Sequence, residues 1–345
     1  MTTIQDVARR AGVSPATVSR FLSGHPVRST ARITEAIADL HYRPNNAARS
    51  LRSGLHSCIA LIVPDVTNPF FASVLKGIEN RAGDERLLVL VGNSDEDPVK
   101  EAALIQELAA RSDGMIIGPV KEGDESYKHL AGLNMPIVLI DREIGSEHPF
   151  DSVVADNQSG MRQAVGHLVG LGHTRIAAIH GPEDSTPGRT RIESFHQALR
   201  ERHIEIRSEY NVMEDFRIRG GYDGMMALWD LTERPTAVII SNNLMTAGAL
   251  TALHEMAVSV PGDLSVIGFD DQQLAPLLDP PLTVVRRNEI EQGALAADLL
   301  IRRLRMEERG EYSSLTMPVD LVIRSSTATP RDERHRPQDL KERAQ

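Results

Sequence analysis

The 345-residue chain has a single cysteine, Cys58. No disulfide can form within it, which suits a reducing compartment. No apolar run reaches the roughly eighteen residues that read as a membrane span, and no apolar core of a signal peptide stands at the amino terminus. The expectation is a soluble, cytoplasmic protein with no membrane partner. Catalytic signatures are missing too: there is no G-x-S-x-G, no H-E-x-x-H, no Walker loop and no G-x-G-x-x-G after a strand-like run. The twelve histidines are scattered. His167, His173 and His180 lack ligand spacing and read as surface or strand-end residues. Neither metal nor cofactor is expected, and the chain does not read as an enzyme.

What is present begins with TIQDVARRAGVSPATVSRFL. Ile4, Val7, Ala8 and Ala11 fall at i, i+3, i+4 and i+7, one apolar face of a short helix. Gly12-Val13 breaks it, since glycine tolerates the backbone of a tight turn. Ser14 can cap a second helix with Pro15 at its first position, where a missing N–H costs nothing. Val18, Phe21 and Leu22 bury this helix against the first, leaving Pro15, Ala16, Thr17, Ser19 and Arg20 toward the outside. Two short helices joined this way form a helix-turn-helix, whose second helix enters the DNA major groove. The alternative is an ordinary helical hairpin. Charge favours the former: residues 1–57 hold eight arginines against Asp6, Glu35 and Asp39, on a chain of net charge −10. A basic head on an acidic body is what contact of the head alone with phosphate requires.

A third head helix is expected from about Thr30 to Leu40, with Ile33, Ile37 and Leu40 inward, stopped by HYRPN. Asn45 or Asn46 can cap a further helix, AARSLR, ended by Gly54. It is too short to be stable alone and is expected to order on DNA against its twin from a second subunit. From Cys58 onward, apolar runs alternate with amphipathic segments. Strands are read at 58–63, 87–92, 115–118, 137–140 and 152–155, then at 176–180, 237–241 and 264–269. Helices are read from Ala72, Val99, Gly160, Thr190, Gly221 and Thr246. Two such series imply two doubly wound lobes of parallel strands, with the ligand crevice at the strand carboxyl ends.

TNPFF lies at such an end. Phe70 and Phe71 stand out in a chain only 4% aromatic, and beside Asn68 they suit a sugar, which offers an apolar face and hydroxyls. The alternative is core packing, expected for one of the two. Asp141-Arg142, Arg189, Arg191, Asn242 and Asp270 also lie at or just past strand ends. Arg191 and Asp270 could instead close their lobe as an ion pair.

Many motifs, in order, resemble the LacI/GalR family of bacterial transcriptional repressors: the helix-turn-helix run, HYRPNNAARSLRSG, IALIVPDVTNPFFASVLKGIE, VLIDR, DSVVADNQSG, SNNLMTAGAL, VPGDLSVIGFDD and PPLTVVRRN. They span residue 2 to about 326. The resemblance implies an α/β protein with an N-terminal all-α helix-turn-helix head and a two-lobed, periplasmic-binding-protein-like body of doubly wound parallel sheets. The head would cover 1–44, a hinge helix and linker 45–57, and the ligand-binding and dimerisation body 58–329, with lobe crossovers near 157–161, 286–290 and 317–321. The charged tail 330–345 is expected to be disordered. With Leu340 as its one leucine it has no heptad seam for tetramers, so a homodimer is expected.

DNA contacts are expected from Thr3, Ser14, Pro15, Ala16, Thr17, Ser19, Arg20, Asn46, Arg49 and Leu51. Leu51 would wedge into the minor groove at the centre of a palindromic operator in double-stranded DNA. Ligand contacts implied by the resemblance are Phe71, Arg142, Arg189, Arg191, Phe216, Asn242 and Asp270, beside Asn68 and Phe70. SNN departs from the family's AND, so Asn243 replaces an acid, a change expected to touch a helix cap more than the ligand. The expected effector is a sugar, sugar acid, sugar phosphate or nucleoside, and three arginines against one carboxylate leave room for an anion. Such a regulator, a repressor of carbohydrate uptake or catabolism, would respond to ligand as inducer or co-repressor, induction being the expectation.

Overall fold

Three short helices form the head: α1 (Ile4–Ala11), α2 (Pro15–Leu22) and α3 (Thr30–Asp39). The structure, a computed structural model, describes residues 2–22, 24–42, 56–145, 150–305 and 310–331. The expected hinge helix with Asn46, Arg49 and Leu51, and the expected tail past Arg331, lie outside the described residues. Thr3 begins α1 with a capping box: its hydroxyl accepts the Asp6 amide at 3.3 Å, and its own amide donates to the Asp6 carboxylate at 3.0 Å. Gly12 ends α1 at φ 63°, a left-handed conformation that a side chain would strain. Ser14 Oγ accepts the Thr17 amide at 3.2 Å and starts α2. Val7, Ala8, Ala11, Val18, Ile33 and Ala36 form the head core, flanked by Phe21, Leu22, Ile37 and Leu40.

The body runs β1 (Cys58–Val63), α4 (Pro69–Asp84), β2 (Leu88–Asn93), α5 (Pro98–Ala109), β3 (Met115–Ile117), α6 (Asp124–Ala131), β4 (Ile137–Ile140) and β5 (Asp151–Ala155). It continues with α7 (Asn157–Gly170), β6 (Ile176–His180), α8 (Thr186–Glu201), β7 (Asn211–Met213), α9 (Ile218–Trp229), β8 (Ala237–Ile240), α10 (Asn243–Glu255) and β9 (Ser265–Phe269). Last come β10 (Thr283–Arg286), α11 (Glu289–Leu304), β11 (Ser314–Met317) and β12 (Asp320–Val322). One sheet has the order β11-β5-β4-β3-β1-β2 and the other β12-β10-β9-β8-β6-β7. All pairings are parallel except β12 against β10. The two doubly wound lobes read from the sequence are present, and the chain changes sheet three times: after β5, after β10 and after β11.

Strands β7, β10, β11 and β12 were not read from the sequence. Each holds a polar residue within three or four positions, so none offers the continuous apolar run that marks the equally short β3, β4 and β8. The helices begin about three residues earlier than their apolar periodicity suggests, because polar caps set the start. Asn68, Asp97, Ser185 and Asn242 each accept a first-turn amide, and Pro69, Pro98 and Pro187 occupy the first turns of α4, α5 and α8.

Helix α11 returns to the amino-terminal lobe and packs on α4. Leu299, Leu300 and Ile301 join Val74, Ile78 and Ile59 in one core. The two helices touch backbone to backbone, since a Cβ on Gly77 would lie 1.9 Å from the Ile290 carbonyl oxygen and one on Gly293 2.1 Å from that of Val74. Gly293→Val is therefore expected to force α11 off α4 and destabilise the body by about 1–3 kcal/mol or more. Calorimetry should register a fall of several degrees in Tm. An unchanged Tm would mean that the helices separate at no cost.

Candidate functional site

Strand carboxyl ends of the two sheets face one another across a cavity of about 240 Å³. Asp141, Ser241, Asp270 and Arg287 each stand immediately after a strand, β4, β8, β9 and β10 respectively. Asp141 and Asp270 adopt left-handed backbone, φ 65° and 68°, a conformation that non-glycine residues tolerate mainly where surroundings over-determine it. The amino-terminal lobe adds Asn68, Phe70 and Phe71 at the start of α4 and Arg142 past β4, while the other lobe adds Arg191 from α8, Phe216 and Asn242.

Arg287 was not anticipated as a site residue, yet it occupies the centre. Its Nε donates to Asp270 Oδ1 at 2.7 Å and its Nη1 to Asp141 Oδ1 at 2.6 Å. Its guanidinium stacks 3.9 Å above the Phe70 ring. Burial weakens its hold on the proton, but the charges of Asp270 and Asp141 outweigh that and leave its pKa above the ordinary value. The sequence signal that could have marked it is a pair of arginines closing the largely apolar run LTVV; of the two, Arg286 is exposed and Arg287 buried.

Arg191 does not pair with Asp270, contrary to the ion pair considered from the sequence. Its Nε donates to Asn157 Oδ1 at 2.8 Å and its Nη1 to the Ser241 carbonyl, with Phe269 beneath it at 4.1 Å. Fully buried and close to Arg287, it has its pKa pushed down to about 9. Arg191 Nη2 and Asp270 Oδ2 have no hydrogen-bond partner among the described residues. Arg142 is held by Glu96 in a two-pronged pair, 2.6 and 3.0 Å, and lies 6.0 Å from the Phe216 ring. Asn242 caps α10 and donates to the Phe216 carbonyl at 3.0 Å.

Two expectations need correction and a third is incomplete. Arg189 does not line the cavity; its side chain is 44% exposed and pairs with Glu122 at 3.1 Å. Two residues apart on one helix, Arg189 and Arg191 cannot face the same way. Asn243 does more than serve the helix start: its Oδ1 accepts the Leu244 amide at 2.7 Å, and its Nδ2 donates to Asn68 Oδ1 at 2.8 Å, a contact between lobes. The supposed excess of positive charge also fails, because six carboxylates line the cavity against five cations. Both phenylalanines line it, edge to face at 4.8 Å, so neither is confined to core packing. His180 is the last residue of β6, in keeping with the strand-end reading, and burial pushes its pKa down to about 4; His173 is buried rather than superficial.

In the head, Pro15, Ala16, Ser19 and Arg20 are exposed and Thr17 half-buried. The hydroxyls of Thr3 and Ser14 are engaged in their helix caps. Among the described residues no group of His, Cys, Asp and Glu could hold a metal, and no helix is long and apolar enough to cross a membrane.

Residues 3–45 match the family description "Bacterial regulatory proteins, lacI family", and residues 165–327 match "Periplasmic binding protein-like domain". The chain is 34% identical to the ribose operon repressor of Escherichia coli K12, over 88% of this chain and 93% of that one. It resembles the crystal structure of the lac repressor dimer bound to operator and an anti-inducer, with TM-score 0.83 and 27% identity over 95% and 99% of the two chains. A LacI-family regulator of Enterococcus faecium with bound ribose matches with TM-score 0.70 and 29% identity, over 79% of this chain and 100% of that one.

Behind the cavity, Glu101 on α5 accepts the Val120 amide at 2.8 Å and so holds the loop that carries Lys121 and Glu122. Burial pushes its pKa up to about 7, against the pull of that amide and of Arg142. A carboxyl that binds its proton more tightly when folded confers stability that is complete below its unfolded pKa and lost as pH rises through 7. Glu101→Gln keeps the acceptor and removes the charge. It is expected to be more stable than the parent at pH 8, by up to about 3 kcal/mol, with most of the gain gone at pH 5. Urea unfolding at both pH values measures this, and an equal difference at each would refute it.

Proposed function

The chain belongs to the LacI family of bacterial regulatory proteins, and on that premise we propose that it is a repressor whose grip on a palindromic operator is released by a neutral, polyhydroxylated sugar bound between the lobes. One observation carries the effector class. Asp270 Oδ2, an acceptor, and Arg191 Nη2, a donor, are buried at the cavity without partners among the described residues. Each unmade bond costs about 1–3 kcal/mol. Sugar hydroxyls both donate and accept, so neighbouring hydroxyls on one ring satisfy both atoms. Phe71 and Phe216 offer apolar faces to the ring carbons. An anionic effector would meet six carboxylates, and every lining arginine but Arg191 already has a carboxylate partner. The ribose operon repressor and the ribose-bound Enterococcus protein support a pentose.

On the DNA side, α2 presents Arg20 at the head surface, where a guanidinium can pair with guanine O6 and N7. Pro15 and Ala16 are suited to a thymine methyl, and Leu51 to the minor groove. Binding to a twofold operator pairs two heads, hence a homodimer. Relatives that are repressors rather than enzymes support a regulatory role without catalysis, and a DNA target supports a cytoplasmic protein.

Thermal-shift measurements on neutral sugars, sugar acids and sugar phosphates test the effector class. A true effector at a hundred times its Kd stabilises the folded state by about 2.7 kcal/mol, and it should change operator affinity roughly 5–150-fold. Stabilisation by a sugar phosphate and not by D-ribose or another neutral sugar would overturn the reading. Arg20→Ala should remove about 1–3 kcal/mol of base discrimination in a randomised-site selection. Equal weakening on every sequence would instead make Arg20 a phosphate contact.

A further inference from the structure

Arg287 lies on neither lobe but on the second crossing between them, the step from β10 to α11. Its two carboxylate partners belong to different lobes: Asp141 ends a strand of the first sheet and Asp270 a strand of the second. The Phe70 ring beneath the guanidinium belongs to the first lobe. Arg287, Asp141 and Asp270 are all buried. Among the described residues, the charged links Lys121–Asp184, Glu122–Arg189 and Arg217–Asp95 between lobes each involve a half-exposed partner for which water competes.

We propose that Arg287 is a positioning residue that holds the two lobes closed in the absence of effector, by bridging Asp141 and Asp270 across the hinge. Opening the lobes forces the guanidinium to leave one carboxylate, exchanging a buried charge-assisted hydrogen bond for weaker ones to water. The bridge also fixes Asp270 by one oxygen and leaves the other for an incoming hydroxyl. The free protein is then pre-closed, and effector binds a cleft whose lobe angle is already set.

Two backbone amides report closure directly. The Glu143 amide donates to Thr186 Oγ1 at 3.0 Å, and the Thr186 amide donates to the Glu122 carboxylate. Both bonds cross between lobes, so they protect these amides from hydrogen exchange only while the lobes are closed. Neither involves Arg287. In the full-length protein without sugar, Arg287→Gln should speed exchange at Glu143 and Thr186 at least tenfold, while amides inside β1 and β8 keep their protection. Arg287→Lys retains the charge but not the two-pronged geometry and should fall between. Asp141→Asn cuts only the first-lobe end of the bridge, at a left-handed position that asparagine tolerates, and should accelerate the same two amides. It carries the test if Arg287→Gln fails to fold. Unchanged exchange at Glu143 and Thr186 in a folded variant would overturn the proposal. Because no effector is present, that failure would leave the sugar reading untouched, and the failure of every sugar to bind would leave this one untouched.

Discussion

Three guanidinium groups lie buried between the lobes, and water cannot answer their charge. The sequence must do so, and it does so unequally. Arg142 is gripped by both oxygens of Glu96. Arg287 has a carboxylate on either side. Arg191 has only neutral oxygens, from Asn157 and Ser241, and a repelling neighbour in Arg287. The fold can place so many charges here because parallel sheets deliver all their strand carboxyl ends to one edge. A single residue past each strand then enters the gap.

That inequality is what makes the gap a binding site rather than a closed ion-pair network. A network with every donor and acceptor matched has nothing left to offer a ligand. Here one oxygen of Asp270 is committed to Arg287 and the other has no partner among the described residues, while Arg191 keeps an unused donor. Of the open atoms at the cavity, Arg142 Nε belongs to the amino-terminal lobe and those of Asp270 and Arg191 to the carboxy-terminal lobe. The aromatic ring of Phe71 and the amide of Asn68 also come from the amino-terminal lobe. The gap thus sets open polar atoms beside apolar faces, the combination that the proposed sugar requires.

Much of this was legible in the residues, for reasons that also mark where legibility ends. The head could be read because its signals are local: Thr3, Gly12 and Ser14 fix helix ends through neighbours within five residues. The strands of the two sheet centres could be read because they are continuous apolar runs. Asp270 and Asn242 were found as polar residues just past such runs. Arg287 escaped because β10, with polar residues at both ends, is no continuous apolar run, and because what makes it central is partners 17 and 146 residues away. Arg189 was misplaced for the opposite reason, since its nearness to Arg191 in sequence means divergence on a helix. At Asn243 only the local role is legible, its Oδ1 accepting the Leu244 amide, because its other partner, Asn68, lies 175 residues distant.

The arrangement also bounds how ligand can act on DNA. A ligand shifts an equilibrium only by its difference in affinity for the two states, and moving a population from 1:99 to 99:1 takes about 5.5 kcal/mol. Contacts confined to Asp270 and Arg191 exist at any lobe angle and contribute nothing to that difference. Only groups of the other lobe, and groups shared between lobes, are differential. Hydrogen bonds to charged groups supply about 1.5–3 kcal/mol each and neutral ones about 0.5–1.5, so two or three contacts to Arg142 and Asp141, with a smaller one to Asn68, approach a full switch. On the proposed reading, control of the lobe angle therefore falls to contacts with the amino-terminal lobe. The amino-terminal lobe is also the one whose first strand, β1, starts at Cys58, directly after the segment that leads from the head.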